Sequence, residues 1–245
     1  MFPLKDNIPT DRFAVVTVTL IAINVLMYFL FQSGGILDGP DDCNVIEYGA
    51  IPFEITHPGQ QVGFQECGAP TAPTWLTVLT SMFMHGSILH LAGNMLFLWI
   101  FGNNVEDSMG RGRFVAFYLL GGLAALGLQT AVGTGSQIPT IGASGAVAAV
   151  LGGYILMYPK ARVVTVIFIV VIFTVLELPA LAVLGLWFAQ QLVFGLTEIA
   201  TPAGGGGQGG VAYFAHVGGF VMGLALIKLF ATRIKDTPTS KYPVY

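Results

Sequence analysis

Four polar side chains stand out in a chain that is otherwise short of them. Ser144 lies in GASGA (142–146), His216 in AHVGG (215–219), and His90 and Asn94 in HGSILHLAGN (85–94). A serine hydroxyl is a weak nucleophile until a base takes its proton, and histidine is the side chain most often used for that. Ser144 with His216 therefore points to acyl transfer. His90 and Asn94 are four residues apart and would share one face of a helix. Ser144 opens an apolar run, so it falls in a first helical turn. The N–H groups there lack intrahelical partners and carry the positive end of the dipole, which suits a developing oxyanion. His85 precedes His90 by five residues, about 500° of helical rotation, and is placed apart from it, near the outer interface.

The elements that must position these groups follow from the solvent. Of 245 residues, 54% are hydrophobic and 9% charged, against about 25% charged in a soluble domain. The chain is therefore expected to be an all-α polytopic membrane protein, one domain over 1–245. Spanning helices need about 20 apolar residues. Six runs qualify, at 13–32, 84–102, 114–133, 142–158, 179–198 and 211–231. A long outer loop, 33–83, follows the first span. The segment 199–210 contains TPAGGGGQGG, in which ordering costs glycine the most entropy, and it is expected to be mobile. The run at the N-terminus is longer than the apolar region of a signal peptide. The stretch 163–198, as one helix, would reach about 54 Å. Pro179 divides it, leaving VVTVIFIVVIF as a buried or interfacial connection.

Charge placement supports six spans with both termini inside. All ten basic residues, from Lys5 to Lys241, then fall on the inner side. That distribution of Lys and Arg fits the positive-inside rule, while Asp38, Asp41, Asp42, Glu47, Glu54 and Glu66 fall outside. Spans two, four and six run in the same direction, so His90, Asn94, Ser144 and His216 arrive at similar depth. Taken singly, a serine among small residues is packing, and a membrane histidine is a helix–helix hydrogen bond. Polar groups inside a bilayer are nevertheless costly, and three helices delivering them to one level argues for chemistry. Gly142, Ala143, Gly145, Ala146 and Gly152, facing Gly219 and Gly223, allow spans four and six to approach closely.

Cys43 and Cys67 both fall in the outer loop, where an oxidising exterior permits a disulfide contributing about 3 kcal/mol or slightly more. Two free thiols, or a zinc site with His57 that lacks an evident fourth ligand, are the alternatives.

The segments HGSILHLAGNM (85–95), FGNNVEDSMGRGRFVAFYLLGG (101–122), GASGA and AHVGGFVMG (215–223) together resemble the rhomboid family of intramembrane serine proteases, of the bacterial six-span type. The resemblance covers about 75–230. It implies a Ser144 nucleophile, a His216 base, an oxyanion site helped by His90 and Asn94, and a flexible cap at 201–210. It implies transmembrane protein substrates in the bilayer, with no cofactor, metal or nucleic acid. One position departs from the pattern. The family commonly has an aromatic residue four after the serine, stacked on the histidine, and here that residue is Ala148. Packing from Tyr213, Phe214 or Phe220 is expected to orient His216 instead. GNNVED is read as a capped, charged interhelical loop.

Other chemistries fit less well. A zinc protease of the H-E-x-x-H type needs histidines four apart, and an aspartyl mechanism needs intramembrane aspartates. A small transporter would be expected to show repeats and intramembrane acids. A catalytically silent relative that binds membrane proteins need not keep both Ser144 and His216. The short tails suggest a prokaryotic plasma membrane.

Overall fold

The computed structural model describes residues 2–35, 39–169, 172–200 and 210–236. Most of the expected cap, 201–209, lies outside them, as does Lys241. The fold is mostly helical. Five helical stretches are long and apolar enough to cross a membrane: Val15–Gln32, Ile88–Met109, Arg111–Val132, Ala180–Ala200 and Tyr213–Phe230.

Chain order builds the frame. Strand β1 (Phe2–Asp6) precedes α1 (Val15–Leu26), which runs on as a π-helix to Gln32. The outer loop holds a two-stranded ribbon, β2 (Ser33–Gly35) with β3 (Gly39–Pro40), and the helices α2 (Asp42–Tyr48), α3 (Pro52–Thr56) and α4 (Thr74–Thr80). Helix α5 (Ile88–Phe97) passes through a π-helical stretch, Leu98–Gly102, into α6 (Asn103–Met109). Then come α7 (Arg111–Val132), α8 (Ser144–Met157), strands β4 (Arg162–Ile169) and β5 (Ile172–Pro179), α9 (Ala180–Ala200) and α10 (Tyr213–Phe230).

Helix α8 sits at the centre. Every residue from Gly145 to Ile155 is buried. Its glycines and alanines make that possible. A Cβ on Gly219 would lie 2.0 Å from Gly145 O, and one on Gly223 2.0 Å from Ala149 O. On the other side, a Cβ on Gly121 would lie 2.5 Å from Ala149 Cβ. Without an apolar driving force between helices in lipid, such close backbone packing is what holds them together. The 14 residues of α8 rise only about 21 Å, short of the roughly 30 Å hydrocarbon core. It is shorter than its neighbours α7, α9 and α10, and Ser144 is its first residue. The segment leading to it is anchored by Gly142 N–H to Ser81 O (2.8 Å) and by the paired backbones of Ala50 and Thr140.

Two readings of the sequence change. GNNVED is no loop: Gly102 ends the π-helical stretch and residues 103–107 continue the second span in α6, where Asn104–Met109 are all buried. Glu106 accepts from Val16 N (3.0 Å), Thr17 N (2.7 Å) and Thr17 Oγ1 (2.8 Å). No side chain at Ala14 caps α1, so a carboxylate from another helix satisfies its free first-turn donors. The apolar connection after α8 is a β-hairpin. Val163 pairs with Leu178 and Phe168 with Phe173, and β1 adds a third strand on β4. Asp6 at the end of β1 is buried and accepts from Tyr154 Oη (2.5 Å) and Asn104 Nδ2 (2.8 Å). Burial pushes its carboxyl up to about 6, against the lowering effect of those two bonds.

In the outer loop Cys43 and Cys67 form a disulfide, with Cα atoms 5.2 Å apart. The zinc alternative thereby loses both its cysteine ligands, and His57 stacks on Phe53 (4.3 Å). Glu47 accepts from Thr71 N, Thr71 Oγ1 and Ala72 N. Burial works to raise its carboxyl pKa, but those donors outweigh it and hold the group below the usual range.

Candidate active site

Ser144, His216, His90 and Asn94 all line one cavity of about 570 Å3. Four elements meet there: α5, the segment 138–141, α8 and α10, with α9 closing one side through Trp187. Ser144 is the first residue of α8, after Ala143, whose side chain provides no cap. The first backbone bond of the helix runs from Val147 N to Ala143 O. The N–H groups of Ser144, Gly145 and Ala146 therefore have no acceptor within the helix.

Gly142 separates Ser144 from His90. Its φ of +126° lies where side-chain-bearing residues rarely go. A Cβ there would stand 2.9 Å from His90 Cε1 and 3.4 Å from Ser144 Oγ. The glycine thus lets the imidazole and the hydroxyl share one corner. His90 Nδ1 accepts from Gly86 N at 3.4 Å, which leaves Nε2 on the Gly142 side. Asn94 is 8% exposed, and its amide nitrogen is buried with no hydrogen-bond partner. Asn94 lines the cavity, and its buried amide keeps an unused hydrogen-bond donor beside it.

His216 sits in the first turn of α10, whose start is held by Ala215 N donating to Gln129 Oε1 (3.1 Å). Among the described residues no hydrogen bond joins Ser144 Oγ to His216. Catalytic contacts in unliganded sites are commonly long and tighten with substrate. The rings expected to orient His216 are engaged elsewhere. Tyr213 packs on Phe194 (5.6 Å), Phe220 stacks on Phe188 (4.3 Å), and Phe214 lies against Gly195. The partners of His216 come from α9: Gln191 Oε1 is 2.7 Å from Nδ1, and the Trp187 ring is 5.6 Å from the imidazole. Both were missed in the sequence, although a glutamine inside a predicted span is a signal of the same kind as Asn94.

His85 also differs from expectation. Helix α5 begins only at Ile88, with Ser87 as its cap accepting from His90 N (3.1 Å). Helical rotation therefore does not apply to His85. It is fully buried, edge-on to His90 at 5.1 Å. Gln32 clamps its backbone, donating to His85 O (2.6 Å) and accepting from His85 N (2.8 Å).

The chain is similar to known proteins over much of its length. The family model described as Rhomboid domain matches residues 72–233. The mouse Presenilin-associated rhomboid-like protein, mitochondrial, is 35% identical over 99 residues, 40% of this chain and 26% of that protein. The Rhomboid protease GluP of Bacillus subtilis is 32% identical over 136 residues, covering 56% of this chain and 23% of that protein. Rhomboid protein 1, mitochondrial, of Saccharomyces cerevisiae is 30% identical over 155 residues, 61% and 40% respectively. The matched region thus spans less than half the length of these relatives.

Proposed function

This chain belongs to the rhomboid family, and from that premise we propose that it is an intramembrane serine endopeptidase that cuts transmembrane segments of other membrane proteins with a Ser144–His216 dyad. The observation that carries the reading is the shared cavity, in which a serine at a helix N-terminus, a histidine and two further polar side chains converge inside a bundle of apolar helices.

The chemistry follows from the residues. His216 takes the proton of Ser144 as Oγ attacks the scissile carbonyl. The oxyanion that forms is met by Ser144 N–H, by the unpartnered Asn94 amide and by His90 through Nε2. Collapse breaks the C–N bond, and His216 returns the proton to the leaving amine. Water then hydrolyses the acyl-enzyme by the same steps in reverse. The substrate must present an unwound backbone, because a helix hides its carbonyls in hydrogen bonds. By charge placement the cavity opens toward the extracytoplasmic face, with both termini on the opposite side. A prokaryotic plasma membrane and a mitochondrial inner membrane would both accommodate this orientation.

Fluorophosphonate labelling tests the nucleophile without a known substrate. Labelling at Ser144, lost in His216→Ala, supports the dyad. Folded protein that stays unlabelled favours a silent membrane-protein-binding relative.

A further inference from the structure

The proposed base lacks the ring that its family commonly stacks on it, since position 148 offers only a methyl group. Something else must hold the imidazole. Two side chains of α9 meet it, one turn apart. Trp187 lies 5.6 Å away between ring centroids and tilted by 38°, and Gln191 Oε1 lies 2.7 Å from Nδ1. Residues four apart share a helix face, so a single face of α9 supplies both contacts. Gln191 is 6% exposed in the middle of a helix otherwise rich in apolar residues, where a polar side chain is retained at a cost.

Resting on the protease reading above, we propose that Gln191 is the positioning residue of His216, fixing its tautomer as well as its orientation, with Trp187 limiting ring tilt. A carboxamide oxygen can only accept. Facing Nδ1, it requires the proton there, and Nε2 is then left with the lone pair that a general base needs. Were the ring to carry its proton on Nε2 instead, its basic atom would point into α9 and away from the cavity. Gln191 thus takes the position an acidic residue holds in a serine–histidine–aspartate triad, but it is neutral. It selects the tautomer without an ionic partner for the imidazolium. The contact also makes span five part of the catalytic apparatus, so a displacement of α9 would release the base.

The test needs a readout that simple destabilisation would not move. With 15N-histidine-labelled protein in detergent, His216→Ala assigns the His216 signals among the four histidines. The wild type is expected to show a protonated Nδ1 and a bare Nε2, and Gln191→Leu a mixture of tautomers. In cleavage assays, Gln191→Leu is expected to lower kcat about 10- to 100-fold with KM within about twofold, as expected for loss of an interaction that acts in the transition state. Gln191→Glu restores the acceptor. It should recover most of kcat. A wild-type ring protonated at Nε2, or a Gln191→Leu enzyme with wild-type kcat, overturns the proposal. Should wild-type protein neither cleave nor label at Ser144, the protease reading fails, and the tautomer measurement still decides the contact.

Discussion

The packing of α10 on α8 sets the separation of Ser144 and His216, and Gly219→Ala perturbs it directly. Gly219 follows His216 by three residues, on the adjoining turn. A methyl group there would lie 2.0 Å from the carbonyl oxygen of Gly145 and 3.4 Å from Ala148 Cβ, whereas real contacts of a Cβ stay above 3.0 Å. The obstacle is backbone of the buried central helix, so no side chain can swing aside. Helix α10 must retreat by about 1 Å. A misplacement of that size costs about 100-fold in rate, and overpacking costs about 1–3 kcal/mol in stability. The assay is kcat for cleavage of a single-span substrate in detergent, beside the thermal unfolding midpoint. Gly127→Ala in α7 is the control, since a Cβ there meets nothing within 4 Å. It should be neutral or slightly stabilising, by up to about 1 kcal/mol. Gly219→Ala with unchanged kcat would refute the claim that this contact places the base.

Further perturbations test the rest of the frame. Asp6 has a folded pKa near 6 against an ordinary 3.8, so its contribution favours folding below pH 4 and is lost as pH rises through 6. The difference is about 3 kcal/mol; the apparent melting point should fall mainly between pH 4 and pH 6 and level off above pH 7, and Asp6→Asn should flatten that fall. Glu106→Ala strips three hydrogen bonds from the start of α1 and should lower stability by about 3 kcal/mol or more, with Glu106→Gln milder, as read by melting in detergent. Reducing the Cys43–Cys67 bond, which links residues 24 apart, should lower stability by about 3 kcal/mol and change gel mobility after alkylation.

Five of the six expected spans, and the shared cavity of Ser144, His216, His90 and Asn94, are legible because long apolar runs and stray polar residues are strong signals in lipid; the fourth run, 142–158, forms a shorter helix of 14 residues. What was hidden had physical reasons. VVTVIFI is apolar at every position but Thr165, so the alternation that marks a strand does not show, and its partner β1 lies some 160 residues earlier in the chain. The charges of GNNVED look like a loop, yet Glu106 is buried because it serves the donors of another helix. His85 was assigned by helical rotation, which fails because Ser87 starts the helix after it. Gln191 is inconspicuous in the sequence because it sits beside Gln190 in an otherwise apolar run, and only the fold shows which face of α9 meets α10.

The proteolytic reading is tested most directly by reconstituting the purified protein in liposomes with a single-span membrane protein carrying helix-breaking residues near its outer end. Cleavage within or beside the span by wild type, abolished in both Ser144→Ala and His216→Ala while each variant remains folded, is the expected result. Cleavage that persists undiminished in Ser144→Ala would contradict it.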